Sequence, residues 1–307
     1  MALTVVGTMA FDEIETPFGK SGKIIGGSAT YIAWAASNFV KPVNQVSVIG
    51  EDFPQAELNE LTARGVELKG VQVKKGEKSF YWSGKYHMDM NTRDSLVTDL
   101  NVLADFNPVI PESYQGSEFL ILGNLTPQVQ MSVIDQLTVR PKLIVMDTMN
   151  FWMEVAMEDL LKVLKKVDVL MVNDSEARQL SGEYSLVKAA KKILTMGPRY
   201  LIIKKGEHGA LLFHENHVFF APAMPLDDVY DPTGAGDTFA GGFIGYLAKT
   251  RDISFENMKT AIIVGSAMAS FCVEKFGTSR LKEVSHEELT ARLEQFVQLV
   301  NFDIDLV

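Results

Sequence analysis

A chain of 307 residues, 47% hydrophobic and 22% charged, is long enough for one large α/β domain or two smaller ones and has the composition of an ordinary globular protein. Its formal net charge of −10 argues against the broad basic face that nucleic acid or an anionic membrane would need, so any phosphate site must be local, built from backbone amides and a few cations. The single cysteine, Cys272, excludes an intramolecular disulfide and a cysteine-based metal cluster; in its apolar helical setting it reads as a small buried hydrophobe and fits a reducing compartment.

The N-terminus runs straight into an apolar stretch, residues 3–6, that ends at Gly7 and reads as a buried strand. It shows no signal-peptide pattern, and no apolar run approaches the roughly 20 residues of a membrane span, so a cytoplasmic enzyme is expected. Asp12 follows the strand's carboxyl end, the edge at which open α/β sheets bind ligands. Gly19-Lys20-Ser21 resembles the tail of a P-loop, but Ile14 stands where that motif needs its first glycine, and the motif is set aside. Gly26-Gly27-Ser28 opens a helix over about 29–39, with Ile32, Ala33, Ala36 and Phe39 at helical spacing. Residues 46–49 read as a strand and 57–64 as a helix stopped by Gly65.

Between 71 and 90 the pattern changes. Val71, Val73, Phe80, Trp82 and Tyr86 alternate with polar residues, which predicts exposed antiparallel strands standing apart as a lid or a dimer surface. Phe80, Tyr81 and Trp82 would either cover a ligand or pack across strands. From residue 119 the alternation becomes regular: apolar runs at 119–122, 143–146, 169–172 and 200–203, separated by helical patterns at 127–137, 153–166 and 185–196. Such units imply a doubly wound parallel sheet with right-handed crossovers. Asn124, Asp147 with Asn150, Asn173 with Glu176, and Lys204-Lys205-Gly206 all fall at its ligand-binding edge.

Residues 210–213 and 218–221 flank His214 and His217 as a hairpin, a turn that lacks the helical spacing of a metal motif. Helices are expected from the glycine-rich segment to about 249, over 254–273 and over 286–299, followed by a tail containing Asp303 and Asp305. There is no linker, low-complexity block or repeat, so one main domain with a small appendage is expected.

The densest chemistry lies at Asp231-Pro232-Thr233-Gly234-Ala235-Gly236-Asp237-Thr238-Phe239-Ala240-Gly241-Gly242. A glycine-rich turn opening a buried helix offers free amides and a positive dipole end to an anion. Gly234, Ala235 and Gly236 would face a transferring phosphoryl group. Asp237, electrostatically out of place in an anion site, would take the proton of an attacking hydroxyl, help worth roughly 10²–10⁴-fold. Asn173-x-x-Glu176 would hold hydrated Mg²⁺, which keeps most of its waters. Together these suggest phosphoryl transfer. A dinucleotide fingerprint is the competing reading of Gly234-x-Gly236, but it belongs early in a βαβ unit, not before two consecutive helices. A non-catalytic binding protein is the other competitor, disfavoured by the intact Asp237 and glycines.

The segment closely resembles the C-terminal signature of the PfkB, or ribokinase-like, carbohydrate kinase family. The resemblance extends in order over nearly the whole chain, through Gly7 to Asp12, Gly26-Gly27, Asn173 to Glu176, Lys204 to Gly209, and Gly277. It implies a three-layer α/β/α sandwich with a mostly parallel central sheet and a small β-sheet lid. The expected body is 1–12, 26–70 and 96–307, and the lid 13–25 and 71–95. It implies ATP-dependent phosphorylation of a hydroxymethyl group on a sugar or nucleoside, with Mg²⁺. By this match Asp237 is the base and Gly234, Ala235 and Gly236 the anion hole. Asn173 and Glu176 belong to the Mg²⁺–phosphate region, and Lys204, Gly206, Gly209 and Gly277 to the nucleotide side. Asp12, Gly26, Gly27, Ser28 and Tyr31 belong to the acceptor side, and Asp231 and Thr233 to a potassium site.

The chain departs from ribokinases proper at Ser28 and Tyr31, where those enzymes carry Lys and Asn, which puts ribose itself in doubt. It also lacks the Arg of an Asp-x-Asn-x-Arg pattern: Asp147 to Trp152 has none, which favours a neutral acceptor. Nearby aromatics would suit a nucleoside base by stacking, leaving sugar and nucleoside nearly balanced. An exposed lid sheet would also allow a homodimer.

Overall fold

A computed structural model describes residues 2–301. The apolar runs of the sequence assemble into one large sheet. Its strands, in spatial order, are β13 (His217–Ala221), β12 (Ala210–His214), β11 (Tyr200–Lys204), β10 (Val169–Asn173), β9 (Leu143–Asp147), β8 (Phe119–Leu122), β1 (Leu3–Val6), β4 (Val43–Gly50) and β5 (Val66–Lys74). Seven run parallel; the hairpin β12–β13 continues the sheet antiparallel from β11. Strands such as β1, β8 and β9 are buried on both faces, which is why their sequences are solid rather than alternating.

Helices cover both faces, giving two apolar cores and three layers. One core gathers α1 (Ser28–Ala36), α2 (Gln55–Ala63), α8 (Ala235–Thr250), α9 (Phe255–Cys272), α10 (Ser279–Glu283) and α11 (His286–Val300) around residues such as Val5, Tyr31, Phe243 and Phe271. The other gathers α3 (Pro127–Asp135), α4 (Asn150–Val155), α5 (Met157–Leu164), α6 (Asp174–Ser181) and α7 (Leu186–Leu194) around Val6, Leu122, Met146 and Val172. At the centre of the first core α8 packs closely on α1. A Cβ at Gly241 would sit 2.5 Å from the Ile32 carbonyl oxygen, so only glycine permits that approach.

A second sheet stands apart, in the order β3 (Gly19–Gly26), β2 (Ala10–Thr16), β6 (Phe80–Tyr86), β7 (Arg93–Asp99). It is mixed, with β2 and β6 parallel and the other two pairings antiparallel, where purely antiparallel strands were expected. Its span also differs from the sequence reading. Asp12 lies within β2 of the lid, and β7 carries the lid on to Asp99, while Val71 and Val73 belong to β5 and pair with β4 in the main sheet. The physical reason is that β5 is an edge strand. One of its flanks is free and much of its surface meets solvent, so it alternates like a lid strand. The patterned segment 153–166 is two helices, α4 and α5, and residues 174–181, unassigned from sequence, form α6. Asp303 and Asp305 lie outside the described residues.

Candidate active site

The motif folds as a turn entering α8. Gly234 is its N-cap, at φ 76°, a left-handed conformation that side chains resist. A Cβ there would also meet the Tyr31 ring at 2.4 Å. Tyr31 is therefore packed beneath the turn, 1% exposed, and its ring is not available to a ligand. Ser28 is turned away as well. Its hydroxyl accepts from the Thr8 N–H at 3.0 Å, and Thr8 Oγ1 accepts from the Ser28 N–H at 2.9 Å. These two residues, expected on the acceptor side, are engaged at the start of the first helix by Thr8 and the Gly234 turn.

Within the motif the Ala235 N–H donates to the Pro232 carbonyl at 3.2 Å and Thr238 N–H to the Gly234 carbonyl at 2.8 Å. The amides of Gly236 and Asp237 lie in the first turn of α8, where helix geometry provides no intrahelical acceptor. Lys204, from the end of β11, reaches this turn: a Cβ on Gly236 would be 3.1 Å from its Nζ. Its ammonium pairs with Asp147 at 2.8 Å. Burial alone would lower the Lys204 pKa, but Asp147, Glu176 and Asp237 outweigh it and raise it. Asp237 is pushed up to about 7, first by burial and then by Asp147, with Lys204 and Arg93 pulling it back. This is a carboxylate tuned near neutral pH beside a cation and free amides.

Asn173 and Glu176 form a capping box. Asn173 Oδ1 accepts from the Glu176 N–H at 2.8 Å, and Glu176 Oε2 accepts from the Asn173 N–H at 2.7 Å. The box starts α6 and fixes Glu176 at the edge of the cluster. Its pKa is raised to about 7 by burial and then by Asp147. Among the described residues no three His, Cys, Asp or Glu side chains group as a metal cage. Gly206 and Gly209 shape the short 3₁₀ turn after β11. The Gly277 N–H donates to Asp231 Oδ2 at 3.0 Å, tying it to the buried start of the motif. Asp231 is fully buried, with Oδ1 accepting from the Thr233 N–H at 2.9 Å. His214 stacks on Tyr200 at 4.2 Å and bonds the Arg199 carbonyl, a structural role.

Asp12 lies on the lid, its carboxylate against Gly26, where a Cβ would be 1.8 Å from Oδ2. Its pKa rises to about 8, from burial first and then from the charges of Asp231 and Asp237. The lid carboxylate thus senses the motif's carboxylates across one cleft. Strand register places Trp82 beside Asp12, and pleating puts Phe80 on the same face and Tyr81 on the other. The Trp82 ring lies across Gly84, with its Nε1 donating to Ser95 at 3.0 Å. Tyr81 instead donates to Glu13 at 2.9 Å. The lid meets the motif where Thr233 Oγ1 bonds the Tyr86 hydroxyl at 3.2 Å.

Residues 5–284 match the family described as pfkB family carbohydrate kinase. The chain belongs to that family. A curated cytidine kinase from Thermococcus kodakarensis is 28% identical over 257 residues, 82% of this chain and 90% of that protein. Among solved structures, a nucleoside kinase from Methanocaldococcus jannaschii superposes with a TM-score of 0.77 at 20% identity, covering 96% of this chain and 98% of that one. A ribokinase from Thermotoga maritima gives 0.75 at 20% identity, covering 96% and 99%. The fold is therefore the ribokinase fold, as the motif implied, and the protein is a kinase of the pfkB family.

Asp147 was placed at the ligand-binding edge without an assigned role, and Tyr86 was not among the candidate residues. Asp147 had a sequence signal, a carboxylate at the carboxyl end of a parallel strand, and the structure adds its pairing with Lys204. Tyr86 had none beyond its place in an alternating strand. Trp152 closes the stretch from which the family's Arg is missing; its indole donates to Asn124 at 2.8 Å.

Proposed function

We propose that the protein transfers the γ-phosphate of ATP to a hydroxymethyl group of a nucleoside. The observation that carries this reading is the meeting of lid and motif at the 3.2 Å contact of Tyr86 with Thr233, which sets the lid's buried Asp12, with Trp82 beside it, against the motif that carries the half-buried Asp237. Asp12 would hold the sugar hydroxyls and Trp82 would stack the base, an interaction worth about 1–3 kcal/mol. The resemblance to a cytidine kinase over most of both chains favours a nucleoside over a free sugar.

In this reading the acceptor oxygen attacks the γ-phosphorus and its proton passes to Asp237. The bond from phosphorus to the bridging oxygen breaks, and its electron pair leaves with ADP. The amides of Gly236 and Asp237, with Lys204, stabilise the charge that spreads over the transferring oxygens. Gly206 and Gly209 belong to the loop on the nucleotide side. Mg²⁺ would neutralise the phosphates; Glu176 and Asp147, carboxylates without a third partner, suit a metal held mainly by phosphate and water. Asp231 and Thr233 fit a potassium ion, since Asp231 is a fully buried carboxylate neutralised by no cation among the described residues. A rate equal in potassium-containing and potassium-free buffer would remove that assignment. The exposed edge strand β7, with Leu96 and Val97, is a candidate surface for pairing two lids; sedimentation at micromolar concentration tests for the dimer.

The test is a coupled ADP-release assay with ATP against a panel of nucleosides and sugars. Turnover with nucleosides at kcat/KM at least ~10-fold above free sugars is expected. Trp82→Ala should then raise the nucleoside KM by roughly 10-fold or more while leaving sugar turnover unchanged. Preference for a free sugar, or equal loss on both acceptor classes, contradicts the nucleoside assignment.

A further inference from the structure

Buried polar side chains in folded proteins almost always find a hydrogen-bond partner. Among the described residues ten buried side-chain atoms have none, and six of the ten fall in one part of the first core. They are Thr30 Oγ1 and Trp34 Nε1 on α1, both amide atoms of Gln45 and the Ser47 hydroxyl on β4, and Glu57 Oε2 on α2. Residues 30 and 34 are about one turn apart and share a face of α1. Gln45 and Ser47 alternate along β4 with Val46 and Val48, so they share a strand face. That face is the one turned to α1. Val43 and Ile49 on it join the core built around α1, and Gln45 lies in register with Val5 of that core, whereas Val46 and Val48 join the opposite core. The far side of α1 is closed by α8, where Cβ atoms on Gly241 and Gly245 would meet the backbone of Ile32 and Ala36 at 2.5 and 2.8 Å. Trp34 marks the outer end of the group. The Lys282 ammonium lies 5.6 Å from its ring centroid and pairs with Glu57 Oε1 at 2.6 Å, so Glu57 stands at the rim.

We propose that α1, β4 and α2 enclose an internal hydration site, in which ordered water bonds Thr30, Trp34, Gln45 and Ser47. The chemistry of these four side chains selects the occupant. Gln45 needs a donor for its Oε1 and an acceptor for its Nε2, Trp34 can only donate, and the two hydroxyls do either. None of the four bonds another, so whatever satisfies them stands between them. A cation is opposed by the indole and amide N–H groups, and an anion by the Glu57 carboxylate at the rim. An apolar molecule would leave every one of these groups unpaired. Water is small and neutral, it both donates and accepts, and a buried water makes about three hydrogen bonds. The site lies on the flank of α1 opposite α8, behind the helix whose Tyr31 sits beneath the Gly234 turn. Polar residues within an otherwise apolar strand thereby gain a role, which is to hold solvent inside the core. The proposal stands apart from the kinase reading, since none of these side chains needs to meet substrate.

The experiment removes single hydroxyls from the full chain and observes the solvent directly. Thr30→Val and Ser47→Ala each delete one hydroxyl and nearly keep the side chain's shape. With water in the site, each deletion breaks a bond to it, and the melting temperature should fall by roughly 1–4 °C. With the atoms dry and unpaired, each deletion removes a burial penalty instead. A melting temperature that holds or rises in both variants therefore overturns the inference. A crystal structure at about 1.8 Å or better is expected to show water within about 3.2 Å of the Gln45 amide and of at least one of the other three side chains. Side chains rotated to bond one another, or a site without solvent density, would count against it. In solution, oxygen-17 relaxation dispersion should find fewer long-lived internal waters in Gln45→Leu than in wild type. An equal number in the two proteins contradicts a water held by Gln45.

Discussion

Asp237 illustrates how one residue's surroundings define its role. A carboxylate at a helix N-terminus would ordinarily be held low, yet burial and the nearby Asp147 push this one up to about 7. A base is most effective when its pKa lies near the working pH. We expect kcat/KM to fall about tenfold per pH unit on the acid side of roughly 7, as Asp237 becomes protonated, with a plateau above; a pH–rate profile checks this. The same shift has a cost in stability. Asp12, Glu176 and Asp237 all have folded-state pKa values above those of the unfolded chain. The folded state therefore binds more protons between pH about 4 and 8, and their stabilising contribution, complete below pH 4, is lost as pH rises through about 7 to 8. Asp237→Asn should raise the melting temperature most at pH 8 and progressively less as pH falls toward 4, as scanning calorimetry would show.

At the scale of elements, the site depends on how α8 begins. Gly234→Ala forces a side chain into a left-handed φ and onto the Tyr31 ring, and should destabilise by at least ~1–3 kcal/mol, read by chemical denaturation. Much of this element was legible in the sequence, because a glycine-rich turn followed by an apolar run has few other folds. The parallel strands were legible for a similar reason, since burial on both faces leaves solid apolar runs. The alternation of β5 misled because an edge strand shows solvent one flank and reads like a lid strand. Asn173-x-x-Glu176 was read only as a metal site, although the same spacing is a capping box and signals the start of α6. The burial of Ser28 and Tyr31 was not legible because facing within a helix start depends on what packs beneath it, here Thr8 and Gly234.

At the scale of the molecule, the cleft is assembled from segments far apart in sequence. Lys204 meets Asp147 across 57 positions, and Thr233 meets Tyr86 across 147. No local pattern encodes such pairs, which is why Tyr86 carries no sequence signal while Asp237 does. In the proposed reading the body supplies the base and amides and the lid supplies Asp12 and Trp82, so that chemistry would require both parts in contact. Among the described residues no helix is long and apolar enough to cross a membrane. The central claim is that Asp237 removes the acceptor proton during phosphoryl transfer. The most direct measurement pairs ADP release with calorimetric ATP binding for wild type and Asp237→Asn. The account predicts ATP affinity within about threefold and turnover lower by at least ~10²-fold; near wild-type turnover in the variant would contradict it.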